Sequence, residues 1–510
     1  MRLLTPGQAR ELDRISMAEL GIPGKSLMGN AGRRVAEKAM EMTADVHDPA
    51  ILILCGKGHN GGDGFAAAAI LYENNYPIHI HSIYDKKEIK NDSLHYYLKC
   101  EGLGSPVTFG SHIPGFKKPD LVIDGLLGTG FKGELRKDLI SWVDWINDSG
   151  SKILSIDIPS GLDGNSGTLH PRAVKAAATV TFGGRKAGMV FRNGPDHSGN
   201  VTVGEIGFPE LDGLDLPGLK WTLYSSEQSK EFFHKPAVDA HKYSSGKVLV
   251  IAGSRGMTGA AMLATFGALR CGAGLTITTA PSSLNEIYER SIIEGMTLSL
   301  EDGNSGVLRG DHFDPIMEKV DWADSVVLGP GLGRELETQE LIRQLVQSIH
   351  KPLILDADGL FPFSGKLEEL NTREFPLLIT PHMGELARLS GERTDLLISD
   401  FPDVMSGIMA MFNHVALVKQ VPSCTFYGKG ARVNTSGNPG LATGGTGDVL
   451  AGMIASLIAQ GLDFYEAASL GAYIHGKASD MLVAEKGFRG QIASDLLENI
   501  PGLIAEFEQS

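Results

Sequence analysis

Short runs of aliphatic and β-branched residues recur along this chain, each followed by a polar, glycine-bearing turn and then a helix-forming stretch. The runs 51–55 (ILILC), 121–124 (LVID) and 153–158 (ILSIDI) are largely apolar at successive positions, so they read as strands buried on both faces. Stretches such as 65–73 (FAAAAILYE) and 138–146 (DLISWVDWI) read as helices. Thr5-Pro6 opens one more, with a capping hydroxyl and proline at the first helical position. A strand apolar on both faces needs helices on both sides, so the alternation predicts an α/β fold on a parallel sheet. The pattern restarts at 248–252 (VLVIA) and runs through strand-like segments 275–279, 325–328, 353–356, 377–380 and 415–418, with helices including 338–349 and 449–459. Over 207–240 periodicity fades into a segment rich in Gly, Pro and Asp, which places a boundary near 220 and domains at 1–220 and 221–510. The halves share a class of architecture but not their motifs, so they are not evident duplicates.

Sixty-one acidic against 46 basic residues, a net charge of −15, leave no basic footprint for a nucleic-acid surface. Small phosphorylated ligands remain open, because backbone amides can hold them. The four cysteines (Cys55, Cys100, Cys271, Cys424) form no CxxC pair, as in a reducing interior. No apolar signal-peptide core opens the chain, and no uncharged stretch suits a membrane span. A cytoplasmic homo-oligomer is expected, with neither nucleic acid nor membrane as partner.

The sharpest feature of the first half is Cys55-Gly56-Lys57-Gly58-His59-Asn60-Gly61-Gly62-Asp63-Gly64, between a strand and a helix. Consecutive glycines let a ligand approach the backbone and leave amides free at a helix N-terminus, where an anion is favoured. Two further strand ends are polar. One carries Asp124 and then Gly128-Thr129-Gly130-Phe131-Lys132-Gly133-Glu134; the other reads Asp157-Ile158-Pro159-Ser160-Gly161. Open parallel sheets bind ligands at such carboxyl ends. Asn60, Asp124 and Ser160 are oxygen donors suited to a hard monovalent or divalent cation. Singly, Asp124 and Ser160 also suit caps and turns; their coincidence with Asn60 at three strand ends points to a site.

HNGGDG at 59–64, GTGFKGE at 128–134 and DIPSG at 157–161 resemble the NAD(P)H-hydrate epimerase (YjeF N-terminal) family, as does the opening Gly21-Ile22-Pro23-Gly24, Leu27-Met28 and Asn30-Ala31-Gly32. The resemblance covers about residues 1–215 and implies a Rossmann-like three-layer α/β/α domain. It implies that hydrated NADH or NADPH is bound by His59, Asn60, Gly61, Gly62 and Asp63, by Gly128, Thr129, Gly130, Phe131, Lys132, Gly133 and Glu134, and by Asp157. It also implies K⁺ held by Asn60, Asp124 and Ser160. Two positions depart from the family pattern: His59 stands where Asn is usual, and Gly29 where Glu is usual. In the hydrate, the carbon bearing the hydroxyl is bonded to the ring nitrogen, whose lone pair expels water once an acid protonates the hydroxyl. Water then returns on the other face. Such a site needs an acid/base group and positive stabilisation, for which Asp157 and Lys132 are the expected catalytic residues.

The second half carries Asn438-Pro439-Gly440-Leu441-Ala442-Thr443-Gly444-Gly445-Thr446-Gly447-Asp448, leading into VLAGMIASLIAQG. Glycines and threonines at a helix N-terminus form an anion cradle. A carboxylate beside phosphates is costly unless it acts on a proton or is paired, so Asp448 reads as the base that deprotonates a hydroxyl attacking a phosphoryl group. Gly329-Pro330-Gly331-Leu332-Gly333, Asp356-Ala357-Asp358-Gly359 and Thr380-Pro381-His382-Met383-Gly384-Glu385 follow strands, whereas His241-Lys242 and Ser244-Ser245-Gly246 precede one. His475 reads as a packed core histidine.

These motifs resemble, over about 230–508 and in the same order, the ADP/ATP-dependent NAD(P)H-hydrate dehydratase family, which has a ribokinase-like α/β fold. The resemblance implies nucleotide over Asn438, Pro439, Gly440, Leu441, Ala442, Thr443, Gly444, Gly445, Thr446 and Gly447, with Lys419, Gln420, Val421, Pro422 and Ser423 also touching it. Gln420 stands where the family usually has Gly. The hydrate would contact Gly331, His382 and Asp448, and Mg²⁺ is expected. Asp448 would deprotonate the hydrate hydroxyl, which takes a phosphoryl group from ADP, or alternatively ATP, and leaves as phosphate. The whole chain then reads as a nicotinamide-nucleotide repair enzyme. The first domain interconverts the R and S hydrates of NAD(P)H, and the second dehydrates the S form, releasing AMP and phosphate. Two other readings stay open: a ribokinase-type small-molecule kinase, and a non-catalytic nucleotide sensor or scaffold.

Overall fold

A computed structural model describes residues 1–113, 115, 118–131, 133–225, 227, 230, 233 and 237–509. The chain divides into two compact units. One comprises Arg2–Trp221 with Ser399–Asp403; the other comprises Met1, Thr222–Ile398 and Val404–Ser510.

The N-terminal unit is built on seven parallel strands, in the spatial order Val107–Phe109, Ile78–Ser82, Ile51–Cys55, Leu121–Gly125, Lys152–Ile156, Ala178–Phe182, Asn200–Gly204. Alternate residues of one strand serve opposite faces. Ile51, Ile53 and Cys55 pack with Val35, Phe65 and Leu71, whereas Leu52 and Leu54 pack with Trp142, Val143 and Ile146. Both faces are thus covered by helices, which is why these strands are apolar throughout. The opening helix Pro6–Arg14 begins at a capping box: Thr5 Oγ1 accepts from the Gln8 amide, and the Gln8 side chain accepts from the Thr5 amide. Strand order reverses between Ile51–Cys55 and Leu121–Gly125, which opens a crevice at their carboxyl ends.

Two local expectations are corrected. The glycine segment is not all loop before a helix that starts at 65; the helix runs His59–Glu73 and includes its second part, His59–Gly64. The reason is packing: a Cβ on Gly61 would lie 1.9 Å from the Gly56 carbonyl oxygen, so only glycine lets that helix start so close to the strand. The strand expected at 153–158 ends at Ile156, because Asp157 turns the chain at φ +61°.

Among the described residues the C-terminal unit has nine strands of one sheet, in the order Gly430–Val433, Cys424–Tyr427, Val415–Val418, Leu377–Ile379, Leu353–Leu355, Ser325–Leu328, Lys247–Ile251, Leu275–Pro281, Met296–Leu300. The last seven in that order are parallel, and Cys424–Tyr427 and Gly430–Val433 form an antiparallel hairpin beside them. Helices Thr258–Arg270 and Thr446–Ala459 press together over this sheet, and a Cβ on Gly452 would meet the Ala264 carbonyl at 1.9 Å. Here too the order reverses, between Lys247–Ile251 and Ser325–Leu328. No helix among the described residues is long and apolar enough to cross a membrane.

Candidate active sites at the two sheet ends

A cavity of about 660 Å³ opens at the crevice of the N-terminal sheet. Asp157, at its floor, is fixed by its left-handed backbone and by three donors to Oδ1: Lys186 Nζ at 2.6 Å, Thr181 Oγ1 at 3.1 Å and the Phe182 amide at 3.3 Å. Lys186 is 1 % exposed, and its ammonium also donates to Thr181 Oγ1 and to the Phe182 and Gly184 carbonyls. A buried ammonium in this setting is tolerable because it is both ion-paired and fully hydrogen-bonded. Asp157 Oδ2 accepts no hydrogen bond among the described residues, and Asp157 lines the cavity. Asp63 and Asp13 line it as well. Burial, then the charge of Asp157, raises both carboxyls, Asp63 well above its ordinary value.

Beside this cavity lies an oxygen cluster. Asp124 is wholly buried; it accepts from Ser160 Oγ at 2.6 Å, the Ser160 amide and Ser155 Oγ at 2.9 Å each, and the Leu126 amide at 3.3 Å. Burial raises its carboxyl, partly offset by the Ser160 bonds. Asn60 Nδ2 donates to the Leu127 carbonyl at 2.7 Å, and its Oδ1 is left without a donor among the described residues. The set holds one carboxylate, an amide, a hydroxyl and a backbone carbonyl, and no ion pair to Asp124 among the described residues. That fits a monovalent hard cation, which needs oxygen donors and little counter-charge.

At the C-terminal sheet the turns that follow adjacent strands stack on one another. A Cβ on Gly329 would meet the Asp356 carbonyl at 1.9 Å, and Asp358 Oδ2 accepts from the Gly333 amide at 3.0 Å. Asp356 is buried; its Oδ1 accepts from Lys419 Nζ at 2.6 Å, and its Oδ2 has no hydrogen-bond partner among the described residues. The Lys419 amide donates to the Pro381 carbonyl, which brings His382 alongside. His382 caps helix Met383–Ser390: its Nδ1 accepts from the Gly384 amide at 3.0 Å. Helix Thr446–Ala459 begins at Gly445, φ +91°, with no side chain capping its first amides. Those amides are therefore open to an anion. The Gly447 backbone lies against the Lys419 ammonium, at 3.1 Å from a built Cβ. Asp448 is pushed up to about 7 by burial and by Asp356, with Asp358 and Glu385 adding to it and Lys419 opposing. His475, held near 4 by burial, is neutral and donates from Nε2 to the Thr446 carbonyl at 2.9 Å, so it braces the first turn of the helix. Among the described residues no set of three or more His, Cys, Asp or Glu could hold a metal ion.

Of the residues singled out from sequence, His59, Asn60, Asp63, Gly128, Thr129, Gly130, Phe131 and Asp157 line the cavity. Gly61 and Gly62 are buried in helix packing, and Gly133 and Glu134 are exposed and outside the cavity lining. Lys132 lies outside the described residues. Gly29 packs under the Tyr96 hydroxyl, 2.3 Å from a built Cβ, so a larger side chain there would displace Tyr96. Asn438 accepts from the Gly440 amide at 2.9 Å and donates to Asp480, which shapes the loop ahead of the cradle. Gln420 to Ser423 form the turn into strand Cys424–Tyr427, with Ser423 Oγ donating to the Gln420 carbonyl. Sequence reasoning missed Lys186 and Asp13. The one signal for Lys186 is a lysine enclosed by FGGR and AGM; for Asp13 the sequence offers none beyond its place in the helix that opens at Pro6.

Two family models match the chain: YjeF-related protein N-terminus over residues 24–188 and NAD(P)H-hydrate dehydratase over residues 248–502. A protein from Moorella thermoacetica named bifunctional NAD(P)H-hydrate repair enzyme Nnr is 33 % identical over 518 residues, covering 100 % of this chain and 98 % of its own. Its namesake from Salinibacter ruber is 34 % identical, covering 99 % of this chain and 96 % of its own. In three dimensions the chain is similar to a ribokinase-like superfamily protein from Enterococcus faecalis, with 25 % identity and a TM-score of 0.50, over 57 % of this chain and 97 % of that one.

Proposed function

The chain belongs to the bifunctional NAD(P)H-hydrate repair enzymes, and we propose that its two sheet-end sites divide the two reactions between domains 1–220 and 221–510. The first epimerises the R and S hydrates of NADH and NADPH. The second dehydrates the S form, with ADP as phosphoryl donor and ATP as the alternative. The observation that carries this reading is the presence, in one chain, of two separate carboxylate sites at sheet crevices, with Asp157 inside one matched family segment and Asp448 inside the other.

In the first site Asp157 is suited to act as acid/base on the hydrate hydroxyl, because its Oδ1 is immobilised and its Oδ2 is open. Lys186 positions it and supplies buried positive charge. His59, Thr129 and Phe131 line the space for the dinucleotide. K⁺ fits the Asn60, Asp124 and Ser160 cluster, where it would supply fixed charge beside the 126–128 turn. In the second site Asp448 is suited to take the hydroxyl proton, and the open amides of Thr446 and Gly447 would receive the phosphates. Lys419 neutralises Asp356, so that buried carboxylate adds no net negative charge beside the nucleotide phosphates. Among the described residues the second site gathers no set of three or more His, Cys, Asp or Glu, and Mg²⁺ would be held chiefly by the nucleotide phosphates.

The test is incubation of mixed hydrate epimers with ADP or with ATP, following the return of reduced-nicotinamide absorbance. Complete recovery with one nucleotide is expected. A stable phosphorylated product without recovery would convert the reading to a ribokinase-type kinase, and no turnover with either nucleotide to a sensor.

A further inference from the structure

We propose that Asp13 is a second acid/base of the N-terminal cavity and serves the face of the nicotinamide ring opposite Asp157. This rests on the reading that the cavity epimerises the hydrate. Epimerisation removes oxygen from one face of a ring carbon and returns it to the other. Asp157 cannot serve both, because its backbone turn and three donors to Oδ1 hold it in one place. Asp13 reaches the same cavity from a different element, the opening helix Pro6–Arg14, whose Leu12 packs on the turn at Gly183 beside Lys186. Its carboxylate has no hydrogen bond and no ion pair among the described residues, so both oxygens are available. It is half-buried, so water can leave or return on its face, whereas Asp63 is buried.

The environments of the two carboxylates differ in the sense such a reaction needs. Asp157 is paired with a buried ammonium. Asp13 is raised by burial and by Asp157, against a smaller opposing effect of Lys186 and His59, with Asp63 the third acid facing it. Asp13 in its acid form gives a proton to the hydroxyl on its face. The carbon–oxygen bond breaks, both electrons leave with oxygen as water, and the ring-nitrogen lone pair forms a carbon–nitrogen double bond. Water then adds from the other face and loses a proton to the Asp157 carboxylate, while the double-bond electrons return to nitrogen. The protein keeps its proton count; the states of Asp13 and Asp157 are exchanged, and the reverse reaction starts from that state.

The test uses the full chain without nucleotide, so that dehydration is silent, and each purified epimer in oxygen-18 water. Wild type should convert each epimer into the other with label in both. Asp13→Asn should slow conversion by about 10²–10⁴-fold, yet one epimer should still exchange its hydroxyl oxygen with retention, through Asp157 alone. Asp157→Asn should show the same for the other epimer. Asp13→Glu should restore part of the conversion. The melting temperature reports whether each variant is folded, and the dehydratase rate with ADP reports that the other unit is unaffected. The proposal is overturned if folded Asp13→Asn converts at the wild-type rate, if it loses exchange in both epimers, or if Asp63→Asn gives the retention pattern instead. A wild-type chain that does not epimerise would sink the epimerase reading itself, a separate outcome.

Discussion

At Asp448, burial and three neighbouring carboxylates outweigh one lysine, and the carboxyl is pushed up to about 7. A general base works only when ionised, so kcat/KM for dehydration should fall about tenfold per pH unit below about 7 and level off above it. Asp448→Asn should abolish dehydration and leave epimerisation intact. The same raised pKa has a stability consequence of opposite sign. The folded state binds the proton more tightly than the unfolded chain, so the contribution is favourable at low pH and is lost as pH rises from the ordinary value of 3.8 through about 7. Asp448→Asn should therefore melt higher than wild type above that pH, the usual trade of stability for a catalytic charge. A flat pH–rate profile in wild type, or an active Asn variant, would remove Asp448 from its role.

Glycines of the two glycine-rich segments carry different burdens, and the two can be separated. Gly61 sits where a Cβ would strike the Gly56 carbonyl, whereas Gly444 has open space around it at the mouth of the cradle. Gly61→Ala should cost about 1–3 kcal/mol of stability. Gly444→Ala should leave stability within about 0.5 kcal/mol and raise the nucleotide KM by about tenfold, or 1.4 kcal/mol; thermal melts and nucleotide titrations read the two effects independently. The strands legible in sequence were among those buried on both faces: 51–55, 325–328 and 415–418 match their observed bounds, whereas Ala178–Phe182, with two threonines in five residues, escaped notice although wholly buried. Those that escaped notice include His-bearing Ile78–Ser82, Asn200–Gly204 at a sheet edge and the hairpin Cys424–Tyr427 with Gly430–Val433, where polar or exposed positions dilute the apolar signal. Site residues behaved alike. Asp157 and Asp448 announce themselves because each follows or opens a glycine-rich turn. Lys186 and Asp13 do not, because their proximity to Asp157 is created by the fold across 29 residues in one case and by the docking of a separate helix in the other.

Each unit has its own sheet, its own apolar core and its own sheet-end site. Neither active-site carboxylate is drawn from the other unit. The intermediate that links the two reactions, the S hydrate, is a stable molecule that can diffuse in water, and nothing in its chemistry requires that both sites belong to one chain. Fusion then sets the ratio of the two sites at one to one without making either dependent on the other. A mixture of full-length Asp157→Asn and full-length Asp448→Asn should accordingly convert all of a mixed-epimer sample to NADH in the presence of ADP. Asp157→Asn alone should stop at the S fraction, once spontaneous epimerisation is subtracted, and Asp448→Asn alone should recover nothing. If the mixture stops where Asp157→Asn alone stops, the hydrate must pass between sites of one chain, and the units are coupled in a way that two self-sufficient cores do not require.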